Sequence, residues 1–326
     1  MASARSAISR LSPRQESAAL ANTTRSAVER AIMQALAYAD VFDYPLTSEE
    51  VHRYLVAVSA TFDDVRTSLL ALAGRGFLIC REGYHTLPGR ESIVETRRRR
   101  ATVAAQLWPR ALYYGQAIAA IPFVRMVTVT GALAADNVDL DADIDYLIVT
   151  EPGRLWLCRL MVISVVRLAA RRGAVVCPNY FLSERALLLE EQNLFAAREL
   201  VQMVPIAGFA TYRVMRQLNE WTEDYLPNAQ GAPRRFDKVV PLQSVKRLVE
   251  VTLRTTPGMW LERWEMIRKV RKFSHQYNTH VEANFTVDWC KGHFDGHGQR
   301  IMNAYQERLQ TLDGLMDNSD QQVSSE

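Results

Sequence analysis

The sequence predicts an α+β or α/β fold, in which a small mixed sheet is flanked by an N-terminal domain and a helical C-terminal region. The chain has 326 residues, 48% of them apolar, which is enough for two or three compact domains. Apolar strands and helices alternate over 121–185, and helical patterns dominate over 186–315. Polar composition without a periodic apolar face predicts disordered tails at 1–25 and 316–326.

The N-terminal domain, residues 27–90, is predicted from helical apolar spacing, a capping-box pattern and a glycine turn. The predicted helices cover 27–39, 47–56 and 62–74, and a hairpin covers 77–87. This order resembles a winged-helix domain. Arg66 and Arg75 are the only arginines in or next to its third helix, which is a weak electrostatic footprint for DNA. We therefore expect docking to a protein partner and negligible sequence-specific DNA binding.

Residues 91–120 predict two linking helices, with a break before Pro109 because proline disfavours a helical residue in front of it. The first helix contains four consecutive arginines, Arg97–Arg100, which must surround it on all sides. We interpret them as a solvated surface with one structural ion pair. A contact to phosphate or nucleic acid is the alternative.

The predicted core at 121–185 has the order strand, short helix, strand, long helix and strand. Its strands cover 126–130, 145–150 and 174–182, and its long helix covers 154–172. The helices expected after it cover 186–203, 209–223, 239–255, 260–277 and 298–312.

Two aspartates at the start of the second core strand carry the chemistry. Asp143 and Asp145 are two residues apart, so an extended chain directs both carboxylates to one face, where they can share Mg²⁺ or Mn²⁺. Gly131 ends the preceding strand and opens a short helix with free amides for a triphosphate.

The stretch Val127-Thr128-Val129-Thr130-Gly131-Ala132, followed by Asp143-Ile144-Asp145, resembles the polymerase-beta-type nucleotidyltransferase superfamily. The resemblance implies metal-dependent transfer of a nucleotidyl group from an NTP to an acceptor. It also implies that Asp143 and Asp145 hold the metal and that the Gly131–Ala132 turn cradles the phosphates.

Two positions depart from this family pattern. Ala132 replaces the usual Ser or second Gly, and the third core strand lacks the expected carboxylate. Asn179 lies near its place, while Glu184 and Asp141 are the alternative substitutes. These departures leave open a catalytically degenerate, nucleotide-binding regulatory protein whose winged-helix module docks a partner or binds DNA.

Cysteine and tryptophan patterns offer weaker hypotheses. Cys290, His293 and His297 are close in sequence but lack a second ligand pair for zinc, so we interpret them as a loop, with an acceptor-binding role for Lys291 or the histidines as the alternative. Trp221, Trp260, Trp264 and Trp289 are expected to be core anchors.

The net charge and the lengths of the apolar segments limit the kinds of partner that the chain is expected to have. A formal net charge of +3 is too small to indicate nucleic acid, and no apolar segment reaches the length of a membrane span. Scattered cysteines and the lack of a secretory signal pattern predict a cytoplasmic protein. The expected partners are a nucleotide and an unknown acceptor, with a protein or small molecule favoured over nucleic acid.

Overall fold

The computed structural model describes residues 13–139, 142–234, 236, 243–276, 285–291 and 296–323. They form two compact units of an α+β protein. The first unit takes its described residues from Met1–Thr96, Glu223–Gln230 and Asn303–Glu326, and the second from Arg97–Thr222 and Gly231–Met302.

The first unit contains helices packed with a three-stranded antiparallel sheet of order β1-β3-β2. Its elements are α1 (Pro13–Asp40), β1 (Leu46–Thr47), α2 (Ser48–Arg53), α3 (Phe62–Gly74), β2 (Ile79–Arg81) and β3 (Tyr84–Thr86). The predicted capping box is confirmed, because Thr47 accepts from the amide of Glu50 while the Glu50 carboxylate accepts from that of Thr47. The predicted hairpin is confirmed as well. Its turn residues Glu82 and Gly83 both have positive φ, at 53° and 80°.

Both arginines of the expected DNA footprint have acidic partners within this unit. Arg66 lies 3.2 Å from Asp63, and Arg75 pairs with Glu29. Paired guanidinium groups offer less free charge to phosphates. The expectation of weak DNA binding stays a prediction.

The two tail predictions are wrong where the structure describes them. Helix α1 begins at Pro13, so residues 13–25 are helical, and α12 (His297–Val323) includes most of the predicted C-terminal tail. Residues 13–25 include Ala, Leu, Glu, Gln and Arg, which favour helix by intrinsic propensity without an apolar stripe.

The predicted break before Pro109 is also wrong. A single helix, α4 (Ile93–Ala119), runs through the proline. Its buried side chains include Trp108, Tyr114 and Ile118. Each large apolar side chain contributes about 1.5–3 kcal/mol by burial, and together they exceed the cost of about 3 kcal/mol for an internal proline.

The second unit contains a five-stranded mixed sheet of order β7-β4-β5-β6-β8. Its strands are β4 (Val124–Val129), β5 (Ile144–Thr150), β6 (Val176–Ser183), β7 (Val204–Ala207) and β8 (Trp289–Lys291). Strands β4 and β5 are antiparallel, whereas β5 and β6 are parallel. The parallel pair is joined by α6 (Leu155–Arg171), and α5 (Gly131–Ala134) follows β4. The predicted order of core elements is therefore confirmed.

The C-terminal region is mainly helical, as predicted, but it also supplies two strands that the sequence did not predict, β7 and β8, which complete the sheet. The helix expected at 186–203 is reduced to α7 (Leu194–Gln202). The remaining helices are α8 (Phe209–Leu218), α9 (Thr222–Tyr225), α10 (Gln243–Leu253) and α11 (Thr256–Gln276). Within the described part of the chain, no helix has the length and apolar character that a membrane span requires.

Alternate side chains of β5 point to opposite faces of the sheet and pack in two different apolar clusters. Ile144, Tyr146 and Ile148 face the larger cluster with α4 and α6. Leu147 and Val149 face a smaller cluster that includes residues of α7 and α8. Asp145 has the same parity as Leu147, so the sheet places its carboxylate on the α7 side.

Candidate functional site

Three metal-binding groups meet at the start of the parallel strand pair. Ligand atoms of Asp143, Asp145 and Cys177 all lie within 4.8 Å of one another, and each residue is half-buried. Asp145 pairs in register with Cys177, so neighbouring strands bring the two side chains together. Two carboxylates and a thiol at this spacing are able to surround one small cation.

Asn179 reaches the same place through an irregularity in β6. The register shifts so that Asp145 pairs with Cys177 while Leu147 pairs with Tyr180, which leaves one extra residue in β6. Pro178 lies within this extra stretch and has no amide to give to the ladder. The Asn179 amide nitrogen donates to the Asp145 carboxylate, and its oxygen accepts from the Cys177 thiol at 2.7 Å. Asn179 thus acts here as a hydrogen-bond donor to Asp145.

The Gly131 turn packs directly on the Asp145 carboxylate. Gly131 has φ +63°, and a Cβ placed on it would lie 2.5 Å from Asp145 Oδ2. The amide of Thr130 donates to the Asp145 carbonyl oxygen at 3.0 Å. Only glycine gives both the left-handed backbone and the close approach. The turn and the carboxylate are therefore one structural unit.

The first turn of α5 is the place where the sequence predicts free backbone donors. Helical geometry leaves the amides of Gly131 and Ala132 without an acceptor inside this four-residue helix. Ala132 is exposed and supplies no hydroxyl. Any contact of this turn with a phosphate would rest on backbone amides.

The loop that leads from this turn to Asp143 is held by side chains of the same unit. Arg97 donates to the Ala135 carbonyl at 3.1 Å, and Arg100 donates to Asn137 and Asp139. Arg97 is buried, and Arg100 also forms an ion pair with Asp139. Arg99 lies 3.9 Å from Asp139.

A second anchor holds the same loop at Asp136. Its carboxylate accepts from the Trp108 indole at 2.6 Å and pairs with Arg234 at 2.6 Å. The Arg234 guanidinium also lies over the Trp108 ring. Asp136 thereby ties its part of the loop to α4, and supports of this kind help to preorganise a site.

The electrostatic environment of Asp145 disfavours its charge. Burial, then the charge of Asp143, then the charge of Glu199 raise its pKa to about 7, against the hydrogen bond from Asn179. Burial likewise raises the pKa of Glu199 to about 7, against the charge of neighbouring Arg198. A bound cation near these carboxylates would favour their ionised forms.

Cys177 is a poor metal ligand in this environment. Burial and the charges of Asp145 and Asp143 raise the pKa of its thiol to about 12. The protonated thiol donates its hydrogen bond to the Asn179 oxygen. The hard oxygen atoms that suit Mg²⁺ are those of the two aspartates.

A cavity of about 330 Å³ lies on the α7 side of the sheet. Thr130 and Leu147 line this cavity. Both are close to Asp145, because the Thr130 amide donates to the Asp145 carbonyl oxygen and Leu147 follows Asp145 by two residues in β5. Tyr180, Phe195 and Trp289 supply aromatic walls. The cavity therefore begins about 7 Å along β5 from Asp145.

Glu199 was missed by sequence reasoning, although α7 carries a signal for it. The carboxylate lines the cavity and acts on the pKa of Asp145. In sequence it lies three residues after Ala196 and one before Leu200, both buried. A glutamate on the apolar face of a helix is expensive unless it has a role.

Glu184 is not brought to the aspartates. Its amide donates to the Thr150 carbonyl at the far end of β5, about 17 Å along the strand from Asp145. Asp141, the other substitute considered, lies outside the described residues.

The Cys290–His297 stretch forms no metal cluster among the residues that the structure places. Cys290 is buried in β8, and the His297 ring contacts Phe195 at 5.9 Å. His293 lies outside the described part of the chain.

The expectation that all four late tryptophans are core anchors is wrong. Trp260 and Trp264 are 65% and 44% exposed and stack on each other, while half-buried Trp289 lines the cavity.

The comparisons with known proteins identify no relative of this chain. The chain matches no protein-family model, and neither a curated protein nor a solved structure matches it.

Proposed function

We propose that the protein is a metal-dependent nucleotidyltransferase that moves a nucleotidyl group from an NTP to an acceptor. One observation carries the proposal: Asp143 and Asp145 converge beside a glycine turn whose backbone packs on the Asp145 carboxylate. Paired carboxylates opposite free amides are the arrangement that phosphoryl transfer needs for positioning and charge neutralisation. The resemblance to the polymerase-beta-type superfamily supports the same activity.

The donor set fits Mg²⁺ or Mn²⁺. The two aspartates supply hard oxygen ligands, and Thr130, Gly131 and Asn179 fix the position of Asp145. Burial, followed by the charges of Asp143 and Glu199, raises the pKa of Asp145 to about 7, and a cation held by Asp143 and Asp145 would favour the ionised form. When bound, the metal would neutralise phosphate charge and polarise the α-phosphate.

The residues of the chain would then bind and orient the reactants. The Gly131–Ala132 amides support the triphosphate, and Asp143 and Asp145 hold its metal. The acceptor group attacks the α-phosphorus, a bond from the acceptor to phosphorus forms, and the bond to pyrophosphate breaks. The acceptor proton passes to a carboxylate of the site or to water.

A nucleotide-binding regulatory role is the second candidate, and Asn179 favours it. The β6 position nearest Asp145 carries a neutral amide that donates a hydrogen bond. An amide lacks the charge and basicity that a third carboxylate would add to turnover.

The experiment combines nucleotide binding with turnover. We expect Mg²⁺ plus an NTP to raise the melting temperature of the wild type, since a ligand bound only by the native state stabilises it. The Asp143→Ala, Asp145→Ala double variant should lose this response. Wild-type protein with α-labelled NTPs, Mn²⁺ and candidate acceptors, including itself, should give labelled product.

Glu184→Gln is the matched control, because Glu184 lies at the opposite end of the strand pair. It should keep both binding and turnover. An equal thermal response in the double aspartate variant would refute the metal site. Nucleotide binding without product from any acceptor, even after Asn179→Asp, would favour the regulatory role over the enzyme.

A further inference from the structure

We propose that the cavity beside the aspartates is the acceptor site, and that it takes a small organic acceptor with an aromatic or apolar body and an ammonium group that pairs with Glu199. This inference rests on the proposed function, because it supplies the substrate class of the same site. It depends on the lining of the cavity and on its position along β5.

The position of the cavity suits a reactant that must meet an α-phosphate near Asp145. Thr130, which follows β4 and donates its amide to the Asp145 carbonyl oxygen, and Leu147 of β5 connect the cavity to the aspartates. Its volume of about 330 Å³ is at the lower end for small-molecule sites. A folded protein acceptor would not enter such a space, although a single side chain would.

The walls of the cavity favour an apolar body. Leu200, Met203 and Met215 form one part of the lining, and Tyr180, Phe195 and Trp289 form another. Aromatic faces carry negative potential and attract cations as well as apolar groups. The Lys291 ammonium already lies 5.5 Å from the centre of the Tyr180 ring.

The charges of the cavity favour a cationic group. Three carboxylates line it, those of Glu190, Glu191 and Glu199, against one ammonium, that of Lys291. Lys291 lies 3.7 Å from Glu191, so this pair is balanced. Glu190 is exposed at the rim, whereas Glu199 is half-buried.

Glu199 is the specific partner for the cation. No residue that the structure describes donates a hydrogen bond to its carboxylate, although buried Arg198 acts on it at longer range. The half-buried carboxylate lines the cavity and is partly withdrawn from water, so a ligand ammonium would stabilise its ionised form with a charge-assisted hydrogen bond. Glu199 and Leu147 line the same cavity, and Leu147 follows Asp145 by two residues in β5, so the bound cation would lie near the reacting centre.

The test uses a matched pair of probes that differ in one group. Tyramine carries a phenol ring and an ammonium, and tyrosol replaces the ammonium with a hydroxyl. Calorimetry at pH 8, without metal or nucleotide, should show that tyramine binds the wild type at least about tenfold more tightly than tyrosol. Glu199→Gln should remove this preference, and Glu220→Gln, which removes an exposed carboxylate of the same unit, should keep it.

Lys291→Met provides a second variant that does not depend on the folding of Glu199→Gln. Removal of the competing ammonium should tighten tyramine binding severalfold and leave tyrosol unchanged. Equal binding of the two probes to the wild type would overturn the proposal, as would a preference that survives Glu199→Gln. Adenosine that displaces tyramine and binds more tightly would instead make the cavity a nucleobase site. Because no metal or nucleotide is present, this result is independent of the thermal response to Mg²⁺ and NTP that tests the proposed function.

Discussion

Asp145→Asn should stabilise the metal-free protein at neutral and alkaline pH. The wild-type carboxyl has a pKa of about 7 in the folded state, raised from 3.8 by burial and by the charges of Asp143 and Glu199. The folded state therefore holds a proton that the unfolded state has lost between these two values. As pH rises through this window, the wild type loses stability relative to the variant.

The size of the effect follows from the two pKa values. At about 1.4 kcal/mol per pH unit, the interval from 3.8 to about 7 corresponds to about 4 kcal/mol. This is an upper limit, because Asp145 is only half-buried and solvent screens part of the repulsion. Asparagine keeps an oxygen that accepts the hydrogen bond from Asn179, so the variant loses the charge and retains the contact.

Tryptophan fluorescence during urea unfolding is a suitable assay, because all six tryptophans lie in the second unit. The stability difference between Asp145→Asn and the wild type should be near zero at pH 4 and reach about 2–4 kcal/mol at pH 8. Glu220→Gln removes an exposed carboxylate of the same unit and should show no such pH dependence. Parallel curves for Asp145→Asn and the wild type would refute the argument.

Magnesium should reduce or cancel the stability advantage of Asp145→Asn. A ligand at one hundred times its dissociation constant adds about 2.7 kcal/mol to the native state. The wild type should gain this amount, and Asp145→Asn should gain little. The Asp145 carboxylate would therefore lower the stability of the metal-free protein and at the same time be required for metal binding.

Two further variants test the neighbours of Asp145. Asn179→Asp should destabilise the metal-free protein by about 1–3 kcal/mol through like-charge repulsion and a lost hydrogen bond. The variant should nevertheless bind Mn²⁺ more tightly and increase nucleotidyl transfer. An unchanged affinity for Mn²⁺, measured by calorimetry, would contradict this prediction. Gly131→Ala should lower stability by about 1–3 kcal/mol and abolish the thermal response to metal, since its Cβ meets Asp145. Gly153→Ala shares the positive φ without a neighbour within 4 Å, so it should show only the backbone strain, and an equal loss of metal response there would rule out the steric explanation.

Local signals were sufficient for much of the second unit. The strand with Asp143 and Asp145, the glycine turn before it and the long helix after it all follow from periodicity and turn chemistry within a few residues. The short strands were missed because their local sequence signals do not indicate a strand. Strand β7 has four residues and includes Pro205, which suggests a joint between helices, but β7 is an edge strand and an edge tolerates proline.

The site itself depends on contacts that sequence spacing does not encode. Glu199 lies 54 positions after Asp145 and comes from a helix, so a search for a third carboxylate on a strand leads to Glu184 instead. The bulge at Pro178 decides whether Asn179 faces Asp145, and a strict alternation of β6 does not reveal it. Long-range packing therefore determines which groups surround Asp145.

The placement of Asn179 and Glu199 limits the negative charge that lies next to Asp145. Two unit charges at 5 Å repel by about 3 kcal/mol at an effective dielectric constant near 20, so each carboxylate added next to Asp145 is expensive without a cation. Asn179 occupies the nearest position as a neutral donor and stabilises the ionised Asp145. Glu199 faces the cavity from α7, where a cationic acceptor would neutralise it. In this arrangement the metal compensates Asp143 and Asp145, the acceptor compensates Glu199, and the binding of each lowers the repulsion that opposes the other.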